Sequence, residues 1–165
     1  MHAIRGFDQF DFSAEGFTHR VLKKGDGSLP GVLLIQELPG ITHETLTLAE
    51  RLHDDSFTVY LPVLFGEPDS PWEPVKNFAR VCISAEFRVL TQRRRGPVAD
   101  YLRALCRYMQ KECGGKPVGA IGMCFTGGFV LTLMIDESVA APVMSQPAHL
   151  DGAFDAFRAI PSVGV

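Results

Sequence analysis

A chain of 165 residues, 46% apolar and 21% charged, has the composition of one packed domain rather than of a disordered segment. Its net charge of -3 gives no basic surplus for nucleic acid, and no apolar run approaches the ~18 residues of a membrane span. The first residues, Met1-His2-Ala3-Ile4-Arg5-Gly6, lack the apolar stretch of a secretory signal, so the cytoplasm is the expected compartment. The cysteines at 82, 106, 113 and 124 form no CxxC pair and the histidines are scattered, so neither a metal nor another cofactor is expected.

In chain order, residues 17–24 read as an early strand closed by Gly25-Asp26-Gly27. Gly31-Val-Leu-Leu-Ile35 is a continuous apolar run, the pattern of a strand buried on both faces. Glu44 to Asp54 places Leu46, Ala49 and Leu52 on one side of a helix, with Thr42 as its cap. Phe57 to Leu61, stopped by Pro62, is a second buried strand. A further helix is expected within 75–95, ending at Arg93-Arg94-Arg95, whose charges suit a helix C-terminus. From Pro97 to Cys113, Val98, Tyr101, Leu102, Leu105 and Met109 make a helical stripe between an initiating proline and a terminating Gly114. Val118 to Met123 is a third buried strand. Phe125 to Ile135 is apolar nearly all round and predicts a buried helix. Val139 to Met144, interrupted by Pro142, is a fourth strand. Ala148 to Val165 predicts a short amphipathic helix and a loose end.

Strands alternating with helices imply a mostly parallel sheet covered on both faces, with its site outside the carboxyl ends of the strands. One such end reads Gly122-Met123-Cys124-Phe125-Thr126-Gly127-Gly128. A buried strand enters it and an apolar helix leaves it. The spacing departs from G-x-nucleophile-x-G, because Thr126 stands where the second glycine is usual. Thr126 is nevertheless small enough for a tight strand-to-helix turn, and Gly127 and Gly128 are expected to let the helix approach the sheet. Cys124 would meet the orphan N–H groups of the helix start, which favour thiolate. The N–H of Phe125 would face a developing oxyanion. After the first buried strand comes Gln36-Glu37-Leu38-Pro39-Gly40. Glu37 could hold the thiol's proton, and the N–H of Leu38 could be the second oxyanion donor.

These segments resemble the dienelactone hydrolase family of the α/β-hydrolases. That family has a Glu-x-x-Gly after a central strand, a later strand ending in Pro-x-Leu-hydrophobic-Gly, and a Gly-x-Cys-hydrophobic-x-Gly-Gly elbow. Here these are Glu37-Leu38-Pro39-Gly40, Pro62-Val63-Leu64-Phe65-Gly66 and Gly122 to Gly128, within about residues 30–147. The resemblance implies a cysteine nucleophile at Cys124, a glutamate beside it at Glu37, and backbone oxyanion donors at Leu38 and Phe125. Family members that bind a substrate carboxylate use arginines, and Arg80 and Arg88 lie in the corresponding region.

In the α/β-hydrolase order the acid and the histidine follow the nucleophile on later strands. The residues beyond Met144 are too few for two more strands with their helices. The expectation is a single domain over 1–165 that lacks its last strands. His149 is the stand-in for the histidine, with Asp151 or Asp155 to orient it. His43 lies near the same edge, while His19 and His53 suit structural roles. Three readings compete. The first is a hydrolase that transfers an acyl group from a small-molecule ester or lactone to Cys124. The second is an enzyme like the intracellular proteases and glutamine amidotransferases. Those usually place histidine directly after the cysteine, where this chain has Phe125. The third is a catalytically impaired fragment or interaction module. An unfinished sheet edge at 139–144 predicts association into a homodimer.

Overall fold

The computed structural model describes residues 4–37, 40–69 and 97–145. Its strands in chain order are β1 (Asp8–Ala14), β2 (Phe17–Lys24), β3 (Gly31–Ile35), β4 (Thr58–Pro62), β5 (Val118–Met123) and β6 (Val139–Ser145). The helices are α1 (His43–Asp54), α2 (Pro97–Glu112) and α3 (Gly127–Leu133), with a single 3-10 turn at Cys124–Thr126. The expected helix within 75–95, the tail at 148–165 and Cys82 lie outside the described residues.

The strands form one sheet in the order β1-β2-β4-β3-β5-β6. β4, β3, β5 and β6 run parallel, and β1 and β2 are antiparallel additions on the β4 side. β3 and β4 are buried at every position because helices cover both faces. On one face Leu46 and Ala49 of α1 pack with Leu22, Leu34, Val59 and Leu61. On the other, the α2 stripe and Val130 and Leu133 of α3 pack with Leu33, Ile35, Tyr60 and Ala120. This is the expected sheet with helices on both faces.

Local chemistry sets the element ends. Thr42 caps α1, its Oγ1 accepting from the Thr45 N–H at 3.4 Å. α2 stops where Gly114 turns left-handed at φ +77°, and the Gly115 N–H returns to the Gln110 carbonyl at 2.7 Å, the Schellman pattern. Near that helix end, away from the candidate site, Glu112 accepts from Tyr60 Oη at 2.6 Å and from Lys23 Nζ at 2.8 Å, tying α2 to the middle of the sheet.

Three expectations change. β1 has no counterpart in the sequence reading. Glu15 and Gly16 both have positive φ, the conformation of a two-residue type I′ hairpin loop. Phe12 then packs its ring 5.5 Å from that of Tyr101 on α2. The helix expected over Phe125 to Ile135 is shorter, and Ile135 is 72% exposed. Gly127, Val130 and Leu133 face inward instead, at helical spacing. β6 is also not buried on both faces. It is an outer strand among the described residues, with Val143 47% and Met144 41% exposed.

Candidate active site

Cys124 stands at the end of β5 with a φ of +51°, the left-handed region that L side chains avoid. Strain of this kind survives only where the surroundings over-determine it, and here they do. A Cβ on Gly122 would lie 2.6 Å from Val130 Cγ2, 2.7 Å from the Thr126 carbonyl oxygen and 3.1 Å from the Gly127 Cα. Only glycine fits there, so the helix closes directly on the strand and the turn between them is forced. Thr126 is fully buried, and its hydroxyl donates to the Met123 carbonyl at 3.0 Å, bracing the turn from inside. Gly127 has the expected role of close approach. Gly128 does not, since a Cβ there would meet nothing among the described residues. The result leaves Cys124 exposed, at the start of a 3-10 turn that runs into α3. The N–H groups at the start of such a turn have no partner within it, and Phe125 supplies one of them. α3 has seven residues, so what faces the thiol is this first turn and not the dipole of a long helix.

β3 is the parallel neighbour of β5, with Ile35 paired to Gly122. Glu37 and Cys124 each lie two residues beyond that pair, at adjacent strand ends on the same edge of the sheet. Glu37 is half-buried, and burial, followed by the nearby charge of Glu44, pushes its carboxyl up from the ordinary value. A raised carboxyl lies closer to a thiol in proton affinity, so proton exchange between the two costs less than for an ordinary glutamate. Glu37 forms an isolated β-bridge with Gly40, whose φ is +151°. Beneath it Gln36 is fully buried, its Nε2 donating to the Phe65 carbonyl at 2.8 Å and its Oε1 accepting from the Leu64 N–H at 2.9 Å. The sequence reading gave Gln36 no part. The signal available was a polar amide at the exit of a wholly apolar strand. The loop it holds walls an open groove of about 330 Å³ whose far side is Thr18, His19 and Arg20 at the start of β2.

The other candidates do not all join this site. His53 bonds the Phe57 carbonyl through Nδ1 at 2.9 Å, a structural role. His19 lies between the rings of Phe17 and Tyr101, at 5.9 and 5.0 Å. His43 is exposed at the first position of α1. Leu38, Arg80, Arg88, His149, Asp151 and Asp155 lie outside the described residues. Among the described residues there is no cluster of metal-ligating side chains, and no helix is long and apolar enough to cross a membrane.

Comparison with known proteins gives a consistent fold. The chain is similar to a dienelactone hydrolase-like promiscuous phosphotriesterase from metagenomic libraries, with TM-score 0.58 and 22% identity over 89% of this chain and 62% of that one. It is similar to a dienelactone hydrolase, so described as a candidate, from Klebsiella pneumoniae, with TM-score 0.54 and 18% identity over 77% and 53%. An epoxide hydrolase from Vigna radiata matches with TM-score 0.60 and 16% identity over 87% and 41%. The chain thus spans about half the length of the solved structures it matches. No curated protein sequence gives a significant match. Residues 18–153 match the family model described as the dienelactone hydrolase family, a range that includes the Glu37 loop, the loop after β4 and the elbow. With an α/β-hydrolase sheet and a family match over most of its length, this chain belongs to the dienelactone hydrolase family.

Proposed function

We propose that the chain is a hydrolase of small-molecule esters or lactones that works through Cys124. The observation that carries this reading is the left-handed backbone of Cys124 at the end of β5, with Glu37 at the matching position beyond β3. The Cys124 thiol gives its proton to Glu37. The thiolate attacks the carbonyl carbon, forming a C–S bond, and the carbonyl oxygen becomes an oxyanion held by the N–H groups of Phe125 and Leu38. Collapse breaks the C–O bond, and the leaving alkoxide takes the proton from Glu37. Water, activated by a base, then cleaves the thioester and frees the thiol. His149 is the candidate base, and Arg80 and Arg88 are candidates for a carboxylate on the substrate. No cofactor or metal takes part in this scheme. A free cysteine nucleophile suits a cytoplasmic setting, where thiols stay reduced. Two copies associate through β6, the strand with the exposed Val143 and Met144.

A second reading, an impaired fragment, is favoured by one specific observation. His53 is bonded to a backbone carbonyl, His19 is packed between two aromatic rings, and His43 is exposed at a helix start, so none of the three is hydrogen-bonded to Glu37 or Cys124. Acylation needs only the thiolate and the oxyanion donors, whereas deacylation needs a positioned base. An activated aryl ester is therefore expected to give a burst stoichiometric with enzyme, followed by slow turnover. Cys124→Ala abolishes the burst, and His149→Ala slows only the second phase. A burst that survives Cys124→Ala rejects the thiol mechanism. An unchanged second phase in His149→Ala rejects His149 as base.

A further inference from the structure

We propose that Gln36 is the positioning residue of this site. Its side-chain amide locks the segment that carries Glu37 to the loop after β4, so that the carboxyl is presented beside the elbow. The inference rests on the reading of Cys124 and Glu37 given above and adds a residue to it.

The paired positions of β3 and β4 end at Leu33 and Tyr60. Beyond them the backbones no longer exchange ladder bonds, and the Gln36 amide takes over. Its Nε2 donates to the Phe65 carbonyl and its Oε1 accepts from the Leu64 N–H, so it bonds two consecutive residues of the neighbouring loop. A side chain here supplies the cross-link that the two backbones no longer make. One more bond stitches the same pair of segments together: the Asp69 N–H donates to the Ile41 carbonyl at 2.8 Å. Glu37 thus lies between two anchored points, Gln36 on one side and Ile41 on the other. Successive side chains of an extended chain alternate in direction, so fixing Gln36 also fixes the direction in which Glu37 departs. Gln36 touches no reacting atom in the scheme above. It acts through Glu37.

The test reads the rate of Cys124 alkylation by iodoacetamide across pH, followed by peptide mass spectrometry. This needs no turnover. Wild type is compared with Glu37→Gln, Gln36→Leu and the double variant, each checked for cooperative thermal unfolding. Glu37→Gln is expected to change the profile. Gln36→Leu is expected to lose the wild-type profile and show that of Glu37→Gln, and the double variant to show no further change. Gln36→Glu keeps the fold testable if the leucine variant is unstable. Its protonated carboxyl can replace both amide bonds, but its ionised form loses the donor to Phe65. That variant is expected to follow wild type at acid pH and to approach Glu37→Gln as pH rises. A wild-type profile in both folded Gln36 variants, alongside an altered Glu37→Gln, overturns the role of Gln36 alone. A silent Glu37→Gln overturns the reading of Glu37 and this inference with it.

Discussion

Cys124 holds a left-handed backbone without being glycine, a conformation that costs an L residue roughly 1–2 kcal/mol. Cys124→Gly should therefore unfold at higher denaturant than Cys124→Ala, by about 1 kcal/mol. Equal stability of the two would mean that the elbow carries no strain. The same exposure that follows from the elbow should make Cys124 the first thiol to react. Cys106 and Cys113 are buried, and burial pushes their thiols up, Cys106 to about 12. Limiting iodoacetamide near neutral pH should label Cys124 ahead of both, and preferential labelling of either buried cysteine would contradict the site. Glu37 makes a prediction in pH. Its folded carboxyl is raised above the unfolded value, first by burial and then by Glu44. The folded state therefore favours the protonated form. That stabilisation is complete below the unfolded value of about 4.3 and is lost as pH rises through the folded one. Glu37→Gln should raise Tm at neutral pH, with a gain that shrinks toward acid. A constant gain across pH would remove the charge from the explanation.

The elements make the elbow, and their contacts say where it is vulnerable. Gly122→Ala forces a Cβ against the Val130 side chain and the Thr126 carbonyl. α3 would have to lift from β5, at a cost of about 1–3 kcal/mol. Chemical denaturation measures the loss, and slower labelling of Cys124 in the folded variant would show that the turn itself has moved. At the other end of α3 the anchor is Asp136. One of its oxygens accepts from the Ser138 N–H at 3.1 Å and Ser138 Oγ at 2.7 Å, the other from Arg107 on α2 at 2.7 Å. Burial pushes this carboxyl up, but the bonds from Ser138 and Arg107 outweigh it and hold the carboxyl below its ordinary value. The stabilisation is present above the unfolded value and lost as pH falls through the folded one. Asp136→Ala should cost about 1–3 kcal/mol, because Ser138 is left buried with unpaired donors. Arg107 is 62% exposed, so Arg107→Ala should cost less than about 1 kcal/mol. Urea unfolding of the two variants checks the order, and the reverse order would place the anchor in the ion pair.

At the scale of the whole molecule, the sheet of the described residues ends on one side in a hairpin braced by aromatic rings and on the other in β6. One face of β1 packs against α2, where the rings of Phe10 and Tyr108 lie 5.7 Å apart. β6 exposes Val143 and Met144, and Met134 and Ile135 on the way out of α3 are exposed as well. An open strand with an apolar face pairs readily with another. Pro142 removes one donor from that edge but leaves the face apolar. Sedimentation across a concentration series should show a dimer whose dissociation is promoted by Val143→Lys. A stable monomer at high concentration, unchanged by that substitution, would show that β6 is not an interface.

How much of this was legible in the residues depends on the range over which each feature is decided. The apolar runs at 31–35 and 118–123, the α2 stripe and the Thr42 cap are local patterns, and each formed where the sequence predicted it. The elbow was legible too, because its glycine and its small Thr126 are short-range steric requirements. β1 was not, since its alternating pattern with two aspartates resembles a polar loop until Tyr101 and Tyr108 supply something for Phe10 and Phe12 to bury against. The exposed end of the expected helix at 125–135 was misread for a related reason. Apolar residues say that burial is favourable, but only the neighbouring elements decide whether a covering surface exists. Gln36 is the same lesson at the site itself. A lone amide at the end of an apolar strand signals a polar contact but not its partners, because these are backbone groups 28 and 29 residues away. The sequence by itself determined where the elbow turn and its candidate residues lie, through spacing and turn sterics. Only the tertiary structure decided which segments hold them in place, because those bonds join main-chain atoms that every residue possesses.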